Sequence, residues 1–571
     1  NPRNSRNPRN SRMIVLGFSV GHDKGAALIK DGEVLIAITQ ERLSRVKNDG
    51  AYQGGIIPLD SILYCLNEYK YTLDDVDLIV YSTTEVTDTT YEQLQKFWNL
   101  QRKKLIHIPH HLAHAYSTFF SSGMEESAII VADASGSILN SDNQTKDWYP
   151  EEYEKVLSGQ QDLTEGISLY HLTKSGYTEV YKKWIISPPD INTNECTSLG
   201  TMYSEGSVQL VYEPRTQTWP AGKLMGLASY ANQDIVDEAP KFAHWTDSTQ
   251  TDICIPNNTI YPNVTWKSDF FSRACVAGIY QREQERISVM LAELAKKLTN
   301  SNNVCTAGGS FLNCNSNEQI LKSGLYDGCF FLPASDDSGI PLGCAWYAYQ
   351  QVADIEKTKM ISPYLGKTYS EENFLKALED FPNCEATHFP NFDDLVEFIS
   401  DKLINNRVIG WYQGGSEIGP RALGNRSIIA SPIPHWMKDH INHDIKFREW
   451  YRPFAPAVLF EHQSEIFELD TYSPHMLVTS QVKPEWWDRI PAVTHIDKSA
   501  RYQSVTKENN PRFHQIISSF YDKTGVPVLL NTSFNGPREP IVETPHDAIR
   551  ALHNCYLNYL VIGNYVIVQN R

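Results

Sequence analysis

Two hydrophobic rhythms run along the chain. From Met13 onward, "MIVLGFSVGHDKGAALIKDGEVLIAITQER" holds three short apolar runs separated by turn residues. Their length and bounding residues predict strands at Met13–Ser19, Gly25–Lys30 and Glu33–Thr39. Asp31-Gly32 predicts a tight hairpin between the last two, since both residues tolerate positive φ. A helical stretch follows, then "DLIVYST" as a buried strand. "HIPHHLAHAYSTFF" reads as a helix starting near Pro109, and "SAIIVADASGS" as an apolar strand ending in an aspartate and small residues. "ISLYHLTKSGYTEVYKKW" continues the alternation, and "VCTAGGSFLNCNSNEQIL" predicts a strand, a Gly308-Gly309 turn and a helix.

A strand, a hairpin and helix–strand alternation, occurring twice, is the pattern of a duplicated actin- or ribonuclease-H-like nucleotide-binding fold. In that fold, strand ends carry aspartates and glycines toward phosphates, and amides opening a helix can face an anion. After Tyr349 the texture changes. Residues 355–370 are polar and turn-rich, with Pro363 and Gly366, and predict a linker. "EENFLKALED" and "DDLVEFISDKLINN" then read as amphipathic helices.

A length of 571 residues predicts at least two domains. With 41% hydrophobic and 21% charged residues, the chain is globular in composition, and no apolar run is long enough to span a bilayer. No signal-peptide core stands out, and a cytoplasmic location is expected. The first twelve residues are one hexapeptide written twice, and they are set aside as an artefactual tail. The ten cysteines show no CxxC pairs, so reduced thiols rather than a disulfide framework are expected. A net charge of −17 leaves room only for a local basic surface, which argues against nucleic acid as a partner.

His110 and His114 stand one helical turn apart on one face. They read either as a metal-binding pair or as a polar helix end. Asp133 and Asp337, both at predicted strand ends, would complete a set suited to non-haem Fe(II), Mn or Zn. His22, in the turn after the first strand, is either a general base facing the cleft or a turn residue capped by Asp23. Between Arg407 and Arg452 basic residues cluster around glycines and prolines, against the acidic trend. Arg421, Arg426, Lys446, Arg448, Arg452 and later Arg501 offer forks and a point charge for a small anion, with Asn531 and Ser533 as neutral donors. The alternative is a set of surface ion pairs.

"GHDKGAAL", "QERLSR", "HHLAHA", "GKLMGLASY", "GWYQGGSEIGPRALGNRS", "DHINHDIKFREWYRPFAPAV" and "LNTSFN", in this order, resemble the O-carbamoyltransferases of antibiotic and nodulation-factor biosynthesis. The resemblance implies a threonylcarbamoyl-transferase-like, actin-like ATPase-fold domain at residues 13–354, after the tail of residues 1–12. It implies a second α/β domain at residues 371–571, resembling threonylcarbamoyl-adenylate synthase. Carbamoyl phosphate would be processed in the second domain and its carbamoyl group joined to AMP from ATP, with Mg(II) as the nucleotide's partner. Carbamoyl adenylate would then pass to the first domain for attack by an acceptor hydroxyl.

Carried over by motif, His110, His114, Asp133 and Asp337 would be metal ligands, with Fe(II) or another divalent transition metal. Arg421, Lys446, Arg452, Arg501, Asn531 and Ser533 would hold carbamoyl phosphate, and Gly308, Gly309, Asn313 and Lys223 would lie near the nucleotide. By the same resemblance His22 would fall beside the acceptor hydroxyl. The chain departs from the family at Lys24-Gly25, Gln40-Glu41 and Ala134. Acidic charge with Tyr203, Trp219 and Tyr230 near the cleft motifs suits a cationic acceptor, a saxitoxin-type guanidinium alkaloid before an aminoglycoside. Synthesis of threonylcarbamoyl-adenosine in tRNA and a non-catalytic actin-like nucleotide sensor are the readings from other classes.

Overall fold

The computed structural model describes residues 13–48, 57–84, 105–139, 147–158, 162–187, 196–211, 220–256, 260–355 and 359–570. The hexapeptide tail and Trp219 lie outside them. The first sheet contains β1 (Ile14–Ser19), β2 (Gly25–Lys30), β3 (Glu33–Thr39), β4 (Leu78–Ser82) and β5 (Leu105–His107), in the order β3-β2-β1-β4-β5. The hairpin forms at Asp31 and Gly32, whose φ values are +51° and +81°. β2 and β3 run antiparallel to their neighbours, while β1, β4 and β5 are parallel.

The second sheet repeats this plan. β6 (Glu126–Ala132) continues into β7 (Ile138–Leu139) along one edge of β8 (Asp162–Thr173), and β9 (Gly176–Ser187) pairs on the other edge. A two-stranded ribbon of β10 (His244–Trp245) and β11 (Ile253–Cys254) comes before β12 (Asn303–Ala307) and β13 (Gly328–Phe331), which lie parallel to β6. The spatial order β9-β8-β6-β12-β13 has the strand order and sense of the first sheet. Two such sheets are the actin and ribonuclease-H fold written twice, as the sequence pattern predicts. The helices His110–Ser122 and Ile340–Val352 pack together in the core shared by the two sheets.

The rest of the chain is a second α/β unit. Its nine-stranded mixed sheet takes strands only from Cys384 onward, with Arg426–Ala430 at the centre beside Val528–Ser533. The two amphipathic helices form at Glu371–Leu378 and Phe392–Ile404. Residues of the intervening segment dock rather than dangle: Ala37 N–H donates to Leu365 O at 3.1 Å, and Gly366 N–H to Ser416 O at 2.9 Å.

The expectation of fully reduced thiols is corrected. Cys196 and Cys254 form a disulfide, and eight other cysteines are free. The two are 58 residues apart. An antiparallel bridge between Cys196 and Pro256, with Thr197 N–H donating to Ile255 O, brings the strands together. Spacing alone carries no sign of that bridge. No helix among the described residues is long and apolar enough to cross a membrane.

Candidate active site

The parallel strands β6, β12 and β13 end on one edge, and the turns after β6 and β13 meet the histidine helix there. Asp133 directly follows β6, and Asp337 opens a single 3-10 turn soon after β13. His110 Nε2 lies 3.2 Å from Asp337 Oδ1 and 3.8 Å from Asp133 Oδ2. His114 Nε2 lies 3.2 Å from Asp133 Oδ2 and 3.5 Å from Asp337 Oδ1. One ligand-type atom from each of the four falls within 4.8 Å of the others. Neither histidine is a solvated helix end, since His110 is 2% exposed and His114 fully buried.

The charges explain why this arrangement suits a cation. Burial alone would strip the imidazoles of protons, but Asp337 and Asp133 outweigh it and push His110 up to about 10. Burial raises the carboxyls and the histidines lower them, leaving both aspartates below the usual carboxylate range. Neither ring nitrogen of His110 makes a hydrogen bond among the described residues, although both are buried. Two neutral imidazoles and two carboxylates around one point suit a divalent transition metal, which would give His110 Nε2 its partner.

His22 sits at the mouth. Its side chain is 56% exposed, with Nδ1 3.3 Å from Asp23 Oδ2 and Nε2 3.5 Å from Asp337 Oδ2. Asp337 and then Asp23 push it up to about 10. The structure adds Asp336 to this rim. Burial and the charge of Asp23 raise its carboxyl to about 7. Glu41 accepts from Asn48 N–H at 2.9 Å, while Gln40 accepts from Ser61 N–H at 3.0 Å.

Gly308 takes φ +96°, and a Cβ there would meet Ala132 O at 2.3 Å, so glycine is required for the turn to pass β6. A Cβ on Gly309 would stand 3.2 Å from Asp133 Oδ1, so this turn borders the four-residue cluster. Asn313 caps the helix Cys314–Lys322 through Ser316 N–H and exchanges amide hydrogen bonds with Gln281 at 2.9 and 3.0 Å. Lys223 pairs with Glu449 at 2.5 Å, across the two units. Tyr203 is buried and donates to Gln281 at 2.6 Å, whereas Tyr230 packs against Trp450 with centroids 5.3 Å apart.

The basic residues of the second unit converge on the same opening. Arg421 donates to Leu312 O at 3.4 Å, the end of the Gly309–Leu312 turn. Among the described residues neither Arg421 nor Arg501 forms an ion pair, and each has a buried Nε without a partner. Burial, then the charge of Arg501, push Arg421 down to about 9. Lys446 donates to the Ser533 carbonyl and to Asn535 O and Oδ1 at 3.2 and 3.0 Å; burial, then Arg448, push it down to about 7. Arg452 lies 3.7 Å from Glu449. Arg452 is thus a part-exposed ion pair, whereas Arg421, Arg501 and Lys446 are buried positive groups without a carboxylate partner among the described residues, an arrangement that suits an anion.

Asn531 is a correction to its expected role as a donor. Its Nδ2 donates to Ala422 O at 3.1 Å and to Gln503 Oε1 at 2.8 Å, and only its Oδ1 is left free. Ser533 Oγ donates to Asn535 Oδ1 at 2.6 Å. Arg426 lies fully buried under Tyr412 and bonds Gln413 O at 2.7 Å, so it supports the sheet.

Family comparisons divide the chain as its architecture does. The model for the carbamoyltransferase N-terminus matches residues 14–98 and 83–346, and that for the carbamoyltransferase C-terminus matches residues 400–569. Nodulation protein NolNO of Sinorhizobium fredii is 31% identical over 96% of this chain and 79% of its own length. The 3'-hydroxymethylcephem-O-carbamoyltransferase of Streptomyces clavuligerus is 27% identical over 97% of this chain and 98% of its own. Nodulation protein U of Bradyrhizobium diazoefficiens is 26% identical over 92% of each chain. With family models covering both units and the site built between them, the chain belongs to the carbamoyltransferase family and is an enzyme of the carbamoyltransferase type.

Proposed function

We propose that the enzyme is an ATP-dependent O-carbamoyltransferase that uses carbamoyl phosphate, through carbamoyl adenylate, to carbamoylate a hydroxyl of a small natural product. One observation carries this reading: the Gly309–Leu312 turn borders Asp133 at one end and accepts a hydrogen bond from Arg421 at the other. A buried cluster of positive groups and a cation-seeking cluster therefore share one turn.

In this reading residues 371–571 bind carbamoyl phosphate through Arg421, Lys446, Arg452, Arg501 and the Ser533 region, with Asn531 Oδ1 free to accept from a carbamoyl amino group. Lys223 would exchange Glu449 for a nucleotide phosphate near Gly308 and Gly309. His110, His114, Asp133 and Asp337 would hold Fe(II) or a related divalent ion, which supplies positive charge beside the departing AMP. His22 then has two states. Beside an unspent Asp337 charge it keeps its proton; were that charge engaged by a bound ion, His22 would be the group placed to take the acceptor's proton. The acidic rim of Asp23, Glu41 and Asp336 suits a cationic acceptor, and a saxitoxin-type guanidinium alkaloid is the favoured class.

The test incubates the protein with ATP and carbamoyl phosphate and measures pyrophosphate. Release that needs both substrates, with carbamate ester appearing only when an alcohol acceptor is added, is expected. Transfer from carbamoyl phosphate without ATP consumption would overturn the adenylate route.

A further inference from the structure

We infer that the Glu165 carboxylate, held by Lys182, caps the histidine helix and positions His110, His114 and Asp133 relative to one another. The helix begins after Pro109, whose side chain has no acceptor, so its first amides need partners from elsewhere. His110 N–H donates to Ser137 Oγ at 2.8 Å, and His111 N–H to Glu165 Oε2 at 3.2 Å. The same Oε2 takes Ser137 N–H at 2.9 Å. The Glu165 backbone completes the clasp, accepting from Gly136 N–H at 2.8 Å and donating to Ser137 O at 3.1 Å. Residues 134–137 are the segment leaving Asp133. One residue thus ties together the two segments that supply His110, His114 and Asp133.

The other oxygen, Oε1, receives Lys182 Nζ at 2.5 Å and Tyr149 O–H at 3.1 Å. Glu165 is fully buried and the Lys182 side chain is 5% exposed. An ionised carboxylate is untenable there without its cation, and with it the carboxylate is a stronger acceptor than any neutral cap. Lys182 also lies over the Tyr149 ring, 4.3 Å from its centroid. The approach is tight: a Cβ on Gly136 would stand 2.7 Å from both Glu165 Cβ and the His111 ring. The inference rests on the metal reading only for what the helix presents. The cap itself rests on these bonds.

Co(II) is the probe, because its visible bands report ligand geometry. Lys182→Met strands the buried carboxylate, which must take up a proton and so caps His111 N–H more weakly; it should be the least stable variant in urea and bind Co(II) more weakly than the parent. Glu165→Gln/Lys182→Met removes the buried pair together, leaving only the part-exposed Glu179 without its lysine partner at 2.9 Å, and should be the more stable of the two. It should nevertheless bind Co(II) about 10- to 100-fold more weakly, with shifted bands. Glu165→Asp, which keeps the charge but withdraws it from His111 N–H, should show the same loss and serves if the double variant does not fold. Parent-like affinity and bands in the variant that folds would overturn the inference. A parent that shows no Co(II) bands would remove the metal reading alone. Amide exchange at His111 and Ser137 then decides the cap: faster exchange in the variant upholds it and parent-like exchange overturns it.

Discussion

Lys446 shows how a single residue can report on the anion site. Its ammonium is buried among carbonyl oxygens with Arg448 and Arg452 nearby, and it is pushed down to about 7. A bound dianion would restore the proton that this environment disfavours. Sulfate, which does not titrate in this range, should therefore bind best below about pH 7 and lose up to tenfold per unit between about 7 and 8.5. Calorimetric titration of the parent and Lys446→Met at several pH values checks this, and the variant's weaker binding should be flat. A parent profile equally flat would show that Lys446 does not contact the anion. The sign for folding is the opposite of a lysine gaining a partner. From about pH 7 up to the ordinary lysine value the unfolded chain holds the extra proton, so stability rises with pH across that window. His110, His114, Asp133 and Asp337 were legible at this scale because helical spacing and strand ends are local properties. The engagement of Asn531 was not, since Gln503 and Ala422 reach it from distant segments. Glu165 was missed because one glutamate in an alternating strand reads as the wet face; Lys182 on the neighbouring strand was its only signal.

Among elements, the hairpin, the histidine helix and both amphipathic helices follow from pattern alone, because each is decided within about a dozen residues. How closely they approach is decided elsewhere. The helix Ile340–Val352 packs on the histidine helix at Gly343, where a Cβ would meet Ala113 O at 1.8 Å and Ser117 N at 3.0 Å. It packs on β1 at Gly17, where a Cβ would lie 2.2 Å from Pro341 O. Gly343→Ala gains about 1 kcal/mol in helix propensity. It must also separate two backbones, and overpacking of that kind typically costs about 1–3 kcal/mol, more when no side chain can yield. The overlap should win. The expected outcome is a lower urea midpoint together with weakened Co(II) binding, since the displaced helix carries His110 and His114. An unchanged or higher midpoint would mean that the helices separate freely.

At the scale of the molecule, two units were legible from the change of texture after Tyr349, but their interlock was not. "QERLSR" reads locally as one short helix. In the fold, Arg42 donates to Gly419 O at 2.9 Å, and Arg45 to Ile541 O and Pro540 O at 2.7 and 2.8 Å. Tyr64 donates to Glu543 at 2.6 Å, and Asn317 to Leu477 O at 2.9 Å. These contacts join residues 160 to 496 positions apart, which no short window along the sequence can contain. They lock the two units together, with Arg421 on Leu312 O at 3.4 Å, so that in the proposed scheme an intermediate made in one unit would need to travel only a short way. If the labour is divided, Arg452→Ala or Arg421→Ala should cut turnover of carbamoyl phosphate by about 30-fold or more yet leave use of supplied carbamoyl adenylate within severalfold of the parent. In that scheme each arginine would offer a charge-assisted phosphate contact of roughly 2 kcal/mol or more, about 30-fold in rate. Arg452 is the cleaner probe, because Arg421 also braces Leu312. Both donors are assayed against one acceptor, with urea unfolding as the control for folding. If Arg452→Ala folds normally and fails equally with carbamoyl phosphate and with carbamoyl adenylate, the two units act as one site and the division of labour is wrong.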